Sequence, residues 1–200
     1  KPENKIYIAV NNFPKNLQKL NAFVDCNFIN VGITSGVVDT IKKSLDFIKE
    51  NFINIIPITT IPDSSFIKEK LIYFGNKKMS KENWSGITFL NKEKIQYYFK
   101  HEEIDFTKKC YPFIGRISSV KDDIQDALKE LKDEQMYDLL YLGRILIEKY
   151  KHCLINEKWY DAGHKSTYFE TKISFFSCRF FNEIKYNHIR NSIIKTSKDK

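Results

Sequence analysis

A short stretch near residue 160 holds the residue types best suited to chemistry. Trp159, Asp161, Gly163 and Tyr168 follow one another in the pattern W-x-D-x-G-x-x-x-x-Y. The glycine lets the backbone bend sharply, and an aspartate fixed beside the start of a helix is well placed to hold a divalent metal ion. The pattern alone leaves an alternative, in which the aspartate caps an ordinary turn.

Two further polar side chains follow closely. Lys165 is the lysine nearest to the predicted metal, although a solvated surface lysine is the plainer interpretation. His164 either contacts a ligand or packs behind Gly163.

The first 60 residues predict the framework that positions these side chains. Strands are expected over residues 6–10, 28–33 and 53–58, with a helix over residues 14–22 and a second helix beginning at Thr34-Ser35-Gly36. Near-continuous apolar strands that alternate with helices indicate parallel strands covered on both faces. Such sheets bind ligands at the carboxyl ends of their strands, here residues 11–12, 34–36 and 59–64.

The rest of the chain keeps this α/β character. Strands are expected over residues 71–74, 84–90 and 111–117, and a helix over residues 92–100. Apolar residues at helical spacing then indicate two more helices, around residues 124–131 and 136–147. The whole pattern predicts about seven strands.

Charge and cysteine usage narrow the function classes. The 200-residue chain has a net charge of +8, but only four of its 33 basic residues are arginines, and residues 164–200 hold eight basic against three acidic residues. A phosphate reader tends to use more arginine, and no nucleic-acid-binding module is recognisable. Four widely spaced cysteines, no signal peptide and no apolar run of membrane-spanning length predict a cytoplasmic protein without membrane insertion. A basic nucleic-acid-binding protein is the least favoured of the three functions considered for this chain.

Four segments together resemble the sugar-phosphate nucleotidyltransferases, that is, the nucleoside-diphosphate-sugar pyrophosphorylases. They are W-Y-D-A-G at 159–163, V-G-I-T-S-G-V-V at 31–38, I-I-P-I-T-T at 55–60 and W-S-G-I at 84–87. The tail resembles in particular the nucleotidyltransferases of bacterial capsule biosynthesis, through Y-F at 168–169, Lys172, R-F-F-N at 179–182 and K-T-S at 195–197. The resemblance implies a GT-A-like Rossmann α/β fold with a mixed, mainly parallel sheet flanked by helices. It also implies transfer of a nucleoside monophosphate from an NTP to a sugar phosphate or similar phosphorylated headgroup, with Mg²⁺ as cofactor.

The resemblance assigns roles residue by residue. Its implied metal ligands are Asp161 and Asp63, and its implied substrate-binding residues are Ser35, Gly36, Thr60, Trp84, Gly86, Gly163 and His164. It makes Asp161 and Lys165 the candidate catalytic residues, with Lys165 neutralising phosphate charge. The alternative for His164 to a contact with substrate phosphate is packing behind Gly163.

Two departures from the family pattern shape the expectations. The family's glycine-rich triphosphate loop is missing, which we interpret as truncation, so that the first strand here corresponds to the family's second. Thr59-Thr60 replaces the family's Gly-Asp-Thr, so either Asp63 substitutes as a ligand, or the metal site reduces to Asp161 plus phosphates, or the domain is not a working pyrophosphorylase.

Residues 1–176 are expected to form the nucleotidyltransferase-like domain and residues 177–200 a hairpin or the start of a following, kinase-like domain. The alternative function is a catalytically inactive binding or scaffold module of a larger capsule-biosynthesis protein.

Overall fold

Strands outnumber helices in this fold. The computed structural model describes residues 5–11, 26–64, 67–76, 84–91, 94–100, 102, 109–163, 168 and 171. Within them, the helices are α1 (Val37–Leu45), α2 (Lys121–Lys129) and α3 (Leu139–Tyr150). The strands are β1 (Ile6–Val10), β2 (Cys26–Asn30), β3 (Phe52–Ile55), β4 (Thr60–Pro62), β5 (Leu71–Gly75), β6 (Gly86–Phe89), β7 (Ile95–Tyr98), β8 (Tyr111–Val120), β9 (Cys153–Glu157) and β10 (Trp159–Asp161).

The central element is β8. Eight of its ten residues are buried. Along one edge it pairs first with β6 and then with β3, and along the other edge it pairs with β5. Beyond these neighbours, β7 pairs with β6 and β9 pairs with β5. Two short ladders, β1–β2 and β4–β10, are separate from this six-stranded sheet in the described residues.

Strand direction differs from the sequence-based expectation. The α/β fold class is confirmed, but the expectation of mainly parallel strands is wrong for the described pairings, of which only β1–β2 and β5–β9 are parallel. The apolar run at β3, for example, lies antiparallel to β8. An apolar run that is buried on both faces has the same composition in either direction, so the sequence pattern predicted burial correctly and direction incorrectly.

The three helices cover one face of the sheet. α1 begins directly after Gly36, as the sequence predicted, and buries Val38, Ile41 and Leu45. Together with α2 and α3 it packs against β5 and β8 in the main core, whose fully buried members include Ile72, Ile117, Ile124, Leu140, Leu142 and Leu146. No helix in the described ranges is both long and apolar enough to cross a membrane.

The predicted helix over residues 92–100 is wrong, because residues 95–98 form strand β7. The run Ile95-Gln96-Tyr97-Tyr98 is β-branched and aromatic, which favours an extended backbone. Burial of the Tyr97 side chain raises its pKa to about 12. The expected helix over residues 14–22 lies outside the described residues.

A bulge in β8 depends on one glycine. The β5–β8 register shifts between Ile72 and Phe74, and opposite this shift Gly115 has a φ of +77°. A Cβ atom at Gly115 would collide with Cγ of Pro57 and lie 3.1 Å from its Cδ. The position therefore excludes side chains for two independent reasons, backbone conformation and space.

We expect Gly115→Ala to lower the free energy of unfolding by about 2–4 kcal/mol, from left-handed backbone strain plus the clash with Pro57. Urea denaturation of Gly115→Ala, Pro57→Ala and the double variant separates the two contributions. Pro57→Ala should recover only the part due to the clash. An equal loss with and without Pro57 would show that the clash contributes nothing.

His152 is buried between the end of α3 and the start of β9. One ring nitrogen, Nδ1, lies 3.0 Å from the carbonyl oxygen of Leu146, and Nε2 lies 2.8 Å from Oγ of Ser119. A carbonyl can only accept, so the neutral ring carries its proton on Nδ1 and Nε2 accepts from the serine. Burial lowers the pKa of His152, against the opposing effects of the Leu146 carbonyl and of Asp123.

The lowered pKa predicts acid sensitivity. Below the ordinary histidine pKa the unfolded chain takes up a proton that the folded chain resists, so stability present at neutral pH is lost as the pH falls through the pKa of the folded state. We expect the urea midpoint of the wild type to fall more steeply between about pH 7 and pH 5 than that of His152→Gln. Parallel pH profiles for the two proteins would exclude His152 as the cause.

Candidate functional site

Three of the predicted site residues meet on the β4–β10 ladder. Asp161 pairs with Thr60 across the two strands and is only 7% exposed. Its Oδ1 accepts a hydrogen bond from the backbone N–H of Gly163 at 2.9 Å, and the N–H of Ala162 donates to the carbonyl of Thr59 at 2.8 Å. A Cβ atom on Gly163 would lie 3.0 Å from Cβ of Thr59, so the turn after Asp161 is tightly packed.

A helical residue further along the chain also holds the Asp161 backbone. Tyr168 and Thr171 have helical conformation, and Oγ1 of Thr171 donates to the carbonyl oxygen of Asp161 at 2.6 Å. This agrees with the expectation of helical structure downstream of Gly163. The predicted phosphate-contacting residues His164 and Lys165 lie outside the described residues, so their roles stay predictions.

The second predicted metal ligand, Asp63, lies apart from Asp161. Its N–H donates to the carbonyl of Lys158 at 3.2 Å, which extends the β4–β10 register by one pair. Asp63 is thus three residue steps from the position opposite Asp161, about 10 Å along the ladder. Asp63 lies beyond the end of β4, in a bend, so the alternation of side chains along the strand does not fix the direction of its carboxylate. A joint metal site of Asp63 and Asp161 stays a prediction.

Two tryptophans form an aromatic wall next to the ladder. The rings of Trp84 and Trp159 have centroids 4.7 Å apart, at an interplanar angle of 54°. Gly75, at the carboxyl end of β5, makes room for this wall, since a Cβ there would collide with Nε1 of Trp159 and lie 2.9 Å from Cγ of Pro112. The wall stands where the parallel strands β5 and β9 both end, the edge at which α/β sheets bind ligands.

Gly86 belongs to the same end of the sheet. It pairs with Pro112 on β8 and with Tyr98 on β7. The neighbouring Ser85 donates to Oδ2 of Asp138 at 2.6 Å, and Oδ1 of that aspartate caps α3 by accepting from the N–H of Leu140 at 3.0 Å. The start of β6 is thereby fixed to the start of α3.

Ser35 and Gly36 lie at a different junction, where α1 meets the segment before α3. A Cβ on Gly36 would lie 2.5 Å from the carbonyl oxygen of Met136 and 2.6 Å from Cα of Tyr137. The N–H of Ser35 donates to Oδ2 of Asp39 at 2.9 Å, and this bond is the main cause of the lowered pKa of Asp39. The glycine is thus required by packing, whether or not it also contacts a ligand.

A buried ionic cluster next to the ladder was not predicted from the sequence. Arg116 of β8 has a fully buried side chain, and its NH1 lies 2.6 Å from Oε1 of Glu157, which is 3% exposed. Both side chains also contact Ser64. The available signal was an arginine at the end of the predicted strand over residues 111–117, because a charge inside an apolar run is buried only with a partner.

An open depression of about 420 Å³ lies on the surface, and its described lining residues include none of the predicted site residues. It is lined by Thr88, Phe89, Leu90, Lys109 and Tyr111. Clusters of three or more histidine, cysteine or carboxylate side chains suited to a metal ion do not occur among the described residues.

Comparison with solved structures identifies the fold. A Bacillus anthracis protein described as a glucose-1-phosphate thymidylyltransferase, solved with sucrose, matches with a TM-score of 0.60 and 13% identity over 83% of this chain and 74% of that one. The chain shares its fold with this structure. UDP-glucose pyrophosphorylase with UDP-glucose matches with a TM-score of 0.58 and 13% identity over 86% and 81% of the two chains. HddC from Yersinia pseudotuberculosis matches with a TM-score of 0.56 and 12% identity over 86% and 78%.

The likeness is one of structure alone. No protein-family model matches the sequence, and the search of curated proteins finds no match. The structural matches confirm the Rossmann-like α/β fold expected from the sequence. The activity is proposed below.

Proposed function

We propose that this chain is a nucleotidyltransferase domain that moves a nucleoside monophosphate from an NTP to a sugar phosphate or similar phosphorylated headgroup. The observation that supports this most is the placement of Asp161, whose buried carboxylate is fixed by the Gly163 N–H on a fold shared with nucleotide-sugar enzymes. In this reaction an oxygen of the acceptor phosphate attacks the α-phosphorus. The bond to the bridging oxygen breaks, and pyrophosphate leaves.

Such a transfer needs positioning and charge neutralisation more than covalent catalysis. The donor set fits a Mg²⁺ site with one protein carboxylate, because Mg²⁺ keeps several waters and takes its other oxygens from phosphates. Asp161 would hold the ion, which when bound neutralises charge on the phosphates. Asp63, about three residue steps along the ladder from the position opposite Asp161, is not needed in this arrangement.

The other predicted residues take supporting roles in this proposal. The wall of Trp84 and Trp159 closes one side of the site at the ends of β5 and β9. Thr60 fixes the ladder, because its Oγ1 donates to the carbonyl of Ile114 in β8 at 2.9 Å. Lys165 is proposed to neutralise phosphate charge, as expected from the sequence.

Pyrophosphate release tests the proposal directly. The 200-residue chain is incubated with MgCl₂, each common NTP in turn and a panel of sugar 1-phosphates and polyol phosphates. We expect release that requires both the NTP and one acceptor class, with an equal amount of nucleotide-linked product. No release with any pair, in a protein that unfolds cooperatively, would refute the proposal.

Several finer expectations stay predictions from the sequence. They are the role in capsule or surface polysaccharide synthesis, the cytoplasmic location, the division near residue 176, and the kinase-like domain after it.

A further inference from the structure

The Arg116–Glu157 pair lies beneath the β4–β10 ladder, between it and the central strand. The guanidinium carbon of Arg116 lies 4.1 Å from the centroid of the Tyr73 ring, so the cation is enclosed by an aromatic face and a carboxylate. Neither side chain reaches the surface. A role in direct ligand contact is therefore excluded for both in this arrangement.

Both members of the pair hold the same residue, Ser64, two positions beyond β4. NH1 of Arg116 donates to Oγ of Ser64 at 2.8 Å and to its carbonyl oxygen at 3.4 Å. Oε1 of Glu157 accepts from the N–H of Ser64 at 3.1 Å and also from its hydroxyl. Backbone and side chain of Ser64 are thus fixed together.

The ladder is attached to β8 at both ends. At one end Oγ1 of Thr60 donates to the carbonyl of Ile114, and at the other end Arg116 and Glu157 hold Ser64. The described residues show no ladder hydrogen bonds between β4–β10 and the six-stranded sheet. These attachments, with the packing of Trp159 against Leu71, Tyr73 and Ile114, set where Asp161 sits relative to the sheet.

Stability alone does not account for this pair. Well-packed apolar residues of similar volume often replace a buried ion pair without loss of stability, because the desolvation of both charges offsets their attraction. A directional bond, however, fixes one geometry, whereas apolar side chains allow a strand to slide. We propose that Arg116 and Glu157 are positioning residues that hold the β4–β10 ladder, and hence Asp161, in its working place, an inference that rests on the proposed nucleotidyl transfer.

The two tryptophans report this position without any assay of activity. They are the only two tryptophans in the chain. Trp84 lies two residues before β6 of the six-stranded sheet, and Trp159 lies in β10 of the ladder. Rings this close and tilted couple electronically and give an exciton couplet in far-ultraviolet circular dichroism. The size of the couplet depends on their distance and angle, so displacement of β10 changes it. Trp84→Phe identifies the couplet by removing it.

The main test replaces both charges at once, in Arg116→Met/Glu157→Leu, so that no charge is left buried alone. Its matched control is Arg144→Met/Glu148→Leu, since that pair has the same chemistry, with Arg144 also lying over a tyrosine ring, but is about half exposed on α3. We expect the first variant to unfold cooperatively, lose at least about half of the couplet and lose about 100-fold in kcat/KM for pyrophosphate release. The control should match the wild type in all three.

The outcomes separate clearly. An unchanged couplet with kcat/KM within about twofold of wild type would overturn the proposal. If the double variant fails to fold, Ser64→Ala decides, because it removes only the shared hydroxyl; a smaller couplet and a lower kcat/KM support the proposal, and wild-type values overturn it. If the wild type releases no pyrophosphate, the proposed function fails, and the couplet still shows whether the pair holds the ladder.

Discussion

Asp161→Asn is expected to lower kcat/KM for pyrophosphate release by at least about 100-fold, with little change in the urea midpoint. The asparagine keeps the Oδ1 acceptor that binds the Gly163 N–H at 2.9 Å, so the turn after β10 should survive. What it removes is the negative charge proposed to hold Mg²⁺ beside the phosphates. A large loss of kcat/KM with little change in the urea midpoint distinguishes a catalytic carboxylate from one that only caps a turn.

Asp63→Asn is the matched control for this experiment. It makes the same chemical change about three residue steps away, just beyond the end of β4. We expect it to retain most of the activity. A loss as large as that of Asp161→Asn would instead support the joint metal site that the resemblance implied. Full activity in Asp161→Asn would remove the proposed role of Asp161.

Gly36→Ala is expected to lower the free energy of unfolding by about 3 kcal/mol. Its new methyl group would lie 2.5 Å from the Met136 carbonyl oxygen and 2.6 Å from Cα of Tyr137, and both are backbone atoms that cannot rotate away. The segment before α3 must therefore move off the start of α1, where the N–H of Val38 donates to that same carbonyl at 3.1 Å. Thermal or urea unfolding measures the loss.

Ser35→Ala is the neighbouring control, because it removes a hydroxyl whose contact with Asp39 is long, 3.3 Å, and leaves the backbone bond to the same carboxylate. It should cost little stability. A stable Gly36→Ala protein that has lost nucleotide binding would show that the glycine serves the ligand rather than the packing. A destabilised protein would show instead that the glycine serves the packing rather than the ligand.

The sequence predicted the apolar elements better than their arrangement. The strand at residues 6–10, the strand at β5 and the helix that begins after Gly36 all agree with the structure, since each follows from local periodicity. The prediction failed at β7, where a helix was expected although the aromatic and β-branched residues favour an extended backbone. Local pattern also could not show that β3 and β5 run antiparallel to β8.

The candidate site shows the same division. The W-x-D-x-G spacing sufficed to select Asp161 and Gly163, and the structure places both with Thr60 in one packed turn. The family resemblance implied Asp63, as the carboxylate nearest to Thr59-Thr60. The register of the β4–β10 ladder puts Asp63 three residue steps from the position opposite Asp161, which the sequence alone could not show.

What the sequence determined by itself was composition and period: an α/β chain with buried strands and a sharp turn after one aspartate. What only the tertiary structure decided were the contacts between distant segments. Arg116, Glu157 and Ser64 lie far apart in the chain and meet because β8, β9 and the end of β4 converge. Trp84 and Trp159 likewise become one wall only through folding. Such contacts depend on strand order and register, which local residue preferences do not specify.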